Sequence, residues 1–103
     1  MITFEAYTKS KDAVEVYLYD GGDPTKYIEL LTKYGIQHSL MESKFQFPKM
    51  VAYKRTITIV QDDNTFLLVK GKYLVRDNLN TFTVYNEYRF KKLFDKVYPP
   101  QLY

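Results

Sequence analysis

Residues 49–84 read KMVAYKRTITIVQDDNTFLLVKGKYLVRDNLNTFTV and form the most strand-rich part of this 103-residue chain. Three runs rich in β-branched and aromatic residues, at 49–60, 65–75 and 81–84, are separated by Asp/Asn clusters at 61–64 and 76–80. Such runs, joined by clusters of turn-forming residues, are typical of hairpins. The sequence therefore predicts a meander of three antiparallel strands.

Alternation within the meander predicts which side chains share a face, because successive residues of a strand point to opposite sides. On the first strand the apolar face is formed by Val51, Tyr53, Ile57 and Ile59. Arg55 falls on that face too, so we expect it either to reach the rim of the sheet or to mark a bulge. Gly71 interrupts the second run, which indicates a bulge or a close backbone approach.

The segment before the meander begins with a second hairpin. Residues 2–7 and 14–19 alternate apolar and polar residues around a polar turn, which predicts two paired strands with one apolar face. The opposite face is expected to be exposed, and it carries Glu5, Tyr7, Glu15, Tyr17 and Tyr19.

A helix is predicted at about 23–34. Asp23 suits the N-cap, and Pro24 suits the first helical position. The buried stripe at helical spacing consists of Tyr27, Ile28, Leu31 and Tyr34. Gly35 is the expected left-handed stop, with Ile36 packing back on the helix.

Two segments have less regular patterns. Residues 37–48 predict an irregular strand ending at Pro48, with Met41, Phe45 and Phe47 facing inward. Residues 86–90 fit either a long strand or a helix capped by Asn86. We favour a strand to about Tyr85 and a helix over 87–97, and whether the sheet closes into a barrel stays open.

Together these elements predict a single α+β domain over residues 1–103. It has an antiparallel sheet of about five strands, formed by the N-terminal hairpin and the three-strand meander. Two helices accompany the sheet, one between hairpin and meander and one at the C-terminus.

The composition excludes several classes of protein. The chain has no cysteine, which excludes disulfides, thiolate metal sites and cysteine catalysis. It has no apolar run near the roughly 20 residues of a membrane span and no secretory signal pattern at its start. We therefore expect a soluble, cytoplasmic protein that does not enter a membrane.

Catalytic and metal-binding motifs are absent from the sequence, so we predict a protein that is not an enzyme and has no cofactor. The single histidine, His38, has no acidic or cysteine partner nearby, and Asp62 and Asp63 lie where turns favour aspartate. No catalytic or metal-ligating residue is assigned. A carboxylate-only active site is the remaining enzymatic alternative.

The charge is divided along the chain. Residues 1–43 carry four lysines against seven acids, whereas residues 44–103 carry eleven basic residues against five acids. A basic half with interleaved aromatic residues is typical of nucleic-acid binding. The first hypothesis is therefore a binder of single-stranded nucleic acid, in which lysines contact phosphates and aromatic rings stack on bases. Its candidate residues are Lys54, Phe66, Lys70, Lys72, Tyr73 and Arg76.

The alternative hypothesis is a protein-binding protein. Its interface would use Tyr7, Tyr17 and Tyr19, or the basic sheet face, because tyrosine and arginine commonly anchor interfaces. In size, lack of catalytic motifs and Lys/Tyr/Asn-rich composition, the chain resembles small proteins of phages and mobile elements from AT-rich hosts. That resemblance implies a partner such as a nucleic-acid-processing or defence enzyme of the host, which the protein would inhibit. The oligomeric state stays open.

Overall fold

The computed structural model describes the backbone of residues 2–8 and 13–98 and the side chains of residues 14–94. In chain order its elements are β1 (Ile2–Thr8), β2 (Ala13–Leu18), α1 (Thr25–Lys33), β3 (Gln37–Phe47), β4 (Met50–Gln61), β5 (Asn64–Leu68), β6 (Tyr73–Arg76), β7 (Phe82–Tyr85), α2 (Glu87–Leu93) and β8 (Phe94–Tyr98). The predicted α+β class with two helices and antiparallel strands is confirmed for these residues.

The strands form two sheets rather than one. A five-stranded sheet has the order β7-β6-β2-β1-β8, and a three-stranded sheet has the order β3-β4-β5. The N-terminal hairpin is confirmed, with Ile2 opposite Leu18. The prediction of a three-strand meander is wrong, because the run at 65–75 is divided between the two sheets. Its first part, β5, pairs with β4, whereas its second part, β6, pairs with β2 and β7.

The change of sheet takes place at Gly71. This residue has a φ of +88°, a conformation that glycine adopts without a steric penalty. Its N–H donates to the carbonyl of Tyr19 at 2.9 Å, and the Lys72 N–H donates to the Val69 carbonyl at 3.0 Å. The close backbone approach predicted here is therefore present, within a tight turn that sends the chain from one sheet to the other.

The described part of the core has two clusters, one on each face of the five-stranded sheet. The first joins that sheet to α1 and to the three-stranded sheet, and it contains Tyr17, Tyr19, Tyr27, Leu31, Ile57, Ile59, Leu68, Leu74 and Phe82. The second lies under α2 and contains Val14, Val16, Val75, Phe90 and Phe94. Because β2 and β6 contribute to both clusters, their sheet is covered on both faces.

This arrangement overturns the expectation that Tyr17 and Tyr19 are exposed. Their exposed fractions are 3% and 0%. The face predicted to be wet is covered by α1 and by the three-stranded sheet, which a two-stranded hairpin pattern does not reveal. Tyrosine suits such a position because it brings a large apolar ring and a hydroxyl that bonds locally. Tyr19 Oη donates to the carbonyl of Gly22 at 3.0 Å.

Helix α1 confirms the predicted helix, with a small change at its start. It begins at Thr25, and Pro24 occupies the N-cap rather than the first helical position. Asp23 still supports the helix start, because its Oδ1 accepts from the Thr25 N–H at 2.9 Å and from the Thr25 hydroxyl at 2.6 Å. At the other end Gly35 has a φ of +68°, and the Ile36 N–H donates to the Leu31 carbonyl at 2.9 Å. This is the predicted left-handed stop.

The C-terminal prediction is half confirmed. Strand β7 ends at Tyr85, and the Asn86 side chain accepts from the Arg89 N–H at 2.8 Å, which caps α2. The helix does not continue to Val97, because residues 94–98 form β8 beside β1. Without β8, strand β1 would lie at the edge of the sheet with unpaired backbone groups. Strand β8 provides hydrogen-bond partners for those groups.

Candidate functional site: a projecting β-arm and the cleft at its base

Strands β3 and β4 form a long arm. They pair without interruption from Gln37 opposite Val60 to Phe47 opposite Met50. Strand β5 pairs only with residues 57–61 of β4, so residues 41–56 continue beyond it as a two-stranded ribbon. We call residues 41–56 the arm. The molecule measures 50 × 32 × 24 Å along its principal axes, in keeping with an elongated shape.

One face of the arm is mainly apolar and open. Residues directly opposite in an antiparallel pair share a face, so the register places Met41, Phe45, Phe47 and Met50 on the same face. Ser43 and Lys54, opposite each other, lie on this face between Met41 and Phe45. We call this the outer face, and Leu67 of β5 extends it towards the body. Met41 is 65% exposed and Met50 is 60% exposed. The expectation that Met41, Phe45 and Phe47 face inward is wrong, because the chain after α1 leaves the body and none of the described elements covers this face.

The other face of the arm is fixed to the body through Arg55. The register runs through this residue without a bulge, so the predicted bulge is wrong. Its Nε lies 3.5 Å from Glu42 Oε1, its Nη1 donates to the Gly21 carbonyl at 3.4 Å, and its guanidinium lies 5.2 Å from the ring centre of Tyr53. These contacts tie the base of the arm to the loop between β2 and α1.

A cleft of about 260 Å³ opens at this base, lined by Gly21, Tyr53, Lys54, Arg55, Val69 and Lys70. Lys70 borders the cleft from the turn that follows β5. Lys54 borders it from β4, although the register places the Lys54 side chain on the outer face, opposite Ser43. Among the described side chains, no carboxylate lies within ion-pair distance of either lysine. The cleft therefore combines Lys70 and the Tyr53 ring with Arg55, whose charge is shared with Glu42, and Lys54 lies at its margin.

The predicted nucleic-acid residues do not share one face, because the chain changes sheet at Gly71. Lys54 and Lys70 both border the cleft, and Lys72 is half-buried in the adjoining turn. Phe66 lies on the inner side of the three-stranded sheet and packs against the core. This placement removes it as an open stacking platform.

The other two predicted residues lie on the five-stranded sheet. Tyr73 stacks on Phe90 of α2, with ring centres 4.3 Å apart and planes 3° apart. Arg76 forms an ion pair with Glu15 at 2.6 Å and donates to Asn80 Oδ1 at 2.7 Å. Both side chains are therefore engaged within the fold.

The predicted protein interface is not available as proposed from the sequence. Tyr17 and Tyr19 are buried, and the side chain of Tyr7 lies outside the described residues. The sequence analysis missed the arm and the roles of Tyr53 and Arg55. The signal that could have revealed the arm is the spacing of Met41, Phe45 and Phe47 at odd positions, followed by a two-residue break at Pro48 and Lys49.

The described residues contain neither a metal-binding cluster nor a membrane-spanning helix. Over the described part of the chain, no cluster of three or more His, Cys, Asp or Glu side chains is arranged to bind a metal ion. Within these residues no helix has the length and apolar character needed to cross a membrane. His38 Nδ1 lies 2.8 Å from the Ile36 carbonyl, a local contact at the start of β3.

Comparison with protein-family models, with curated proteins and with solved structures finds no match for this chain.

Proposed function

We propose that this protein is a small non-enzymatic binding protein that recognises a protein partner through the outer face of its arm. The observation that carries the proposal is the exposure of Met41, Phe45, Phe47 and Met50 on one face, with Phe47 directly opposite Met50. Contiguous exposed apolar surface commonly marks an interaction site, and flexible methionines and rigid aromatic rings are frequent at interfaces.

The charges on the arm indicate which kind of partner surface would bind it. Lys44, Lys49 and Lys54 lie on the arm, and Glu42 is its single acid and is engaged by Arg55. We therefore propose a cytoplasmic partner with an apolar patch bordered by acidic side chains. The resemblance to small phage proteins supports a host nucleic-acid-processing or defence enzyme, whose activity the bound arm would inhibit.

The test is copurification from the native host, with the retained partner identified and then titrated as a pure protein. Phe45→Ser combined with Met50→Ser should abolish binding of that partner while the urea midpoint stays unchanged, because both side chains are exposed. Leu79→Ser is the matched control, since Leu79 is 79% exposed but lies in the turn between β6 and β7. Retained binding by the double variant would contradict the proposal.

A second function is favoured by the cleft. Lys54 and Lys70 are unpaired among the described residues, and both border the cleft that Tyr53 lines. Lys70 lies on the cleft side, and the Lys54 side chain lies on the outer face of the arm. This set suits successive nucleotides of a single strand, with phosphates at the ammonium groups and a base on the Tyr53 ring. We therefore retain single-stranded nucleic acid as the second candidate ligand.

A fluorescent oligonucleotide tests this second function. Log K should fall by about 0.7 per phosphate contact for each tenfold rise in salt, so removing two contacts should reduce the slope by about 1.4. We expect this reduction in Lys54→Ala combined with Lys70→Ala, and none in the control Lys26→Ala combined with Lys33→Ala on α1. Absence of binding by the unmodified protein at low salt would refute the nucleic-acid function.

A further inference from the structure

Strand β3 presents a long edge. It lies at one side of the three-stranded sheet and pairs only with β4, so its outer backbone edge has no strand partner in the described part of the chain. It is 11 residues long, contains no proline, and pairs in an unbroken register. Edges of this kind pair readily with another strand unless charges, proline or bulges prevent it.

Charge complementarity within β3 favours one register of pairing with a second copy. Two antiparallel copies related by a two-fold axis place each residue opposite a residue of the same face, so the axis must pass through a residue position. An axis at Glu42 would put two glutamates together, and an axis at Lys44 would put two lysines together. An axis at Ser43 instead places Glu42 of each copy opposite Lys44 of the other copy.

The same register also matches the apolar residues. With the axis at Ser43, Met41 of each copy lies opposite Phe45 of the other copy, and both belong to the outer face. Glu42 would lie between its own Arg55, 3.5 Å away, and Lys44 of the second copy. A carboxylate has enough acceptor sites for both cations. Charge and apolar complementarity therefore favour the same register.

We propose that two copies of this protein pair antiparallel through β3, with the two-fold axis at Ser43. The two three-stranded sheets then form one six-stranded sheet with the order β5-β4-β3-β3-β4-β5. Pairing uses the backbone edge of β3, whereas the proposed protein interface uses the outer face. The two outer faces become one continuous surface, and either proposal can fail without the other.

Cross-linking tests the register directly. The chain has no cysteine, so Ser43→Cys introduces a single thiol that the axis brings next to its copy. We expect mild oxidation of the full chain at micromolar concentration to convert most of this variant into a covalent dimer. The control is Ser39→Cys, whose two copies would lie eight residues apart along the strands, about 27 Å. Cross-linking of the control instead of Ser43→Cys would overturn the proposed register.

Charge reversal tests the ion pairs. Glu42→Lys and Lys44→Glu should each weaken the dimer at least about tenfold in sedimentation equilibrium, because like charges then face each other across the axis. An equimolar mixture of the two variants should associate, since opposite charges meet again in the mixed dimer. A wild-type protein that stays monomeric at every concentration, or variants that dimerise like the wild type, would overturn the proposal. If Glu42→Lys alone fails to fold, the cysteine pair still decides the outcome.

Discussion

Replacement of Tyr19 measures how firmly the three-stranded sheet is docked on the five-stranded sheet. The Tyr19 side chain is completely buried, its ring meets Tyr27 edge-on with centres 4.9 Å apart, and its hydroxyl donates to Gly22. Truncation of a buried aromatic residue to alanine costs about 3–5 kcal/mol. Tyr19→Phe keeps the ring and loses one hydrogen bond, so we expect it to cost about 1 kcal/mol.

Thermal unfolding followed by far-ultraviolet circular dichroism provides the measurement. For a chain of this size, about 1 kcal/mol corresponds to about 4 °C in Tm, so Tyr19→Ala should lower Tm by at least about 12 °C. Tyr88→Ala is the control, because Tyr88 is 72% exposed and its removal should cost less than about 0.5 kcal/mol. If Tyr19→Ala were as mild as Tyr88→Ala, the buried placement of Tyr19 would be refuted.

The ionisation of Tyr19 offers a second readout of the same burial. Burial raises the pKa of the Tyr19 phenol above its ordinary value of 10.0, with the nearby Arg55 partly opposing the shift. A pKa that is higher in the folded state contributes stability below the unfolded pKa, and this contribution is lost as the pH rises through the folded value. As the pH rises above about 10, the free energy of unfolding should therefore fall less for Tyr19→Phe than for the wild type.

Three further predictions concern local features. Gly35→Ala should destabilise the protein by about 1–2 kcal/mol in urea unfolding, because only the left-handed backbone opposes a side chain there and no atom lies within 4 Å of the added carbon. Asp23→Ala should lower stability at neutral pH. Hydrogen bonds from Thr25 hold the pKa of Asp23 below its usual 3.8, so the stabilisation is lost as the pH falls through the folded pKa, and acid unfolding should show the two proteins converging. Arg76→Ala should cost about 1–3 kcal/mol through the orphaned Glu15, without changing oligonucleotide affinity.

Local signals in the sequence were sufficient for several elements. The turn at 61–64 is confirmed, with Asp62 and Asp63 both at positive φ. The stop at Gly35 and the cap at Asn86 are also confirmed. Each depends on the backbone preferences of a few neighbouring residues, which follow directly from the residue types.

Sheet membership could not be predicted from the same patterns. Alternation continues through 65–75, because residues on both sides of Gly71 are equally strand-like, and it carries no information about which neighbour each half pairs with. Residues 90–97 have a related ambiguity. Phe90 and Phe94 are both buried in the structure. Their spacing is compatible with one continuous helix and also with the observed helix followed by a strand.

The candidate site was harder to predict than the fold. Phe45 and Phe47 were assigned to the interior and Tyr17 to the surface, and the structure reverses both assignments. Apolar residues are often exposed at interaction surfaces, and tyrosine occurs in cores and on surfaces alike. Only the position of the arm relative to the body shows which residues remain uncovered.

The pairing of β2 with β6 has a consequence for the rate at which the chain folds. Glu15 and Arg76, opposite each other in this pair, are separated by 61 positions in the sequence. Helix α1 and the three-stranded sheet lie within that interval and depend on short-range contacts, so they can form before the loop closes. Closing a loop of this length costs chain entropy before the new contacts compensate for it. We therefore expect joining of β6 to β2 to be the slow step, with overall folding in the range of milliseconds to seconds that is typical of high contact order.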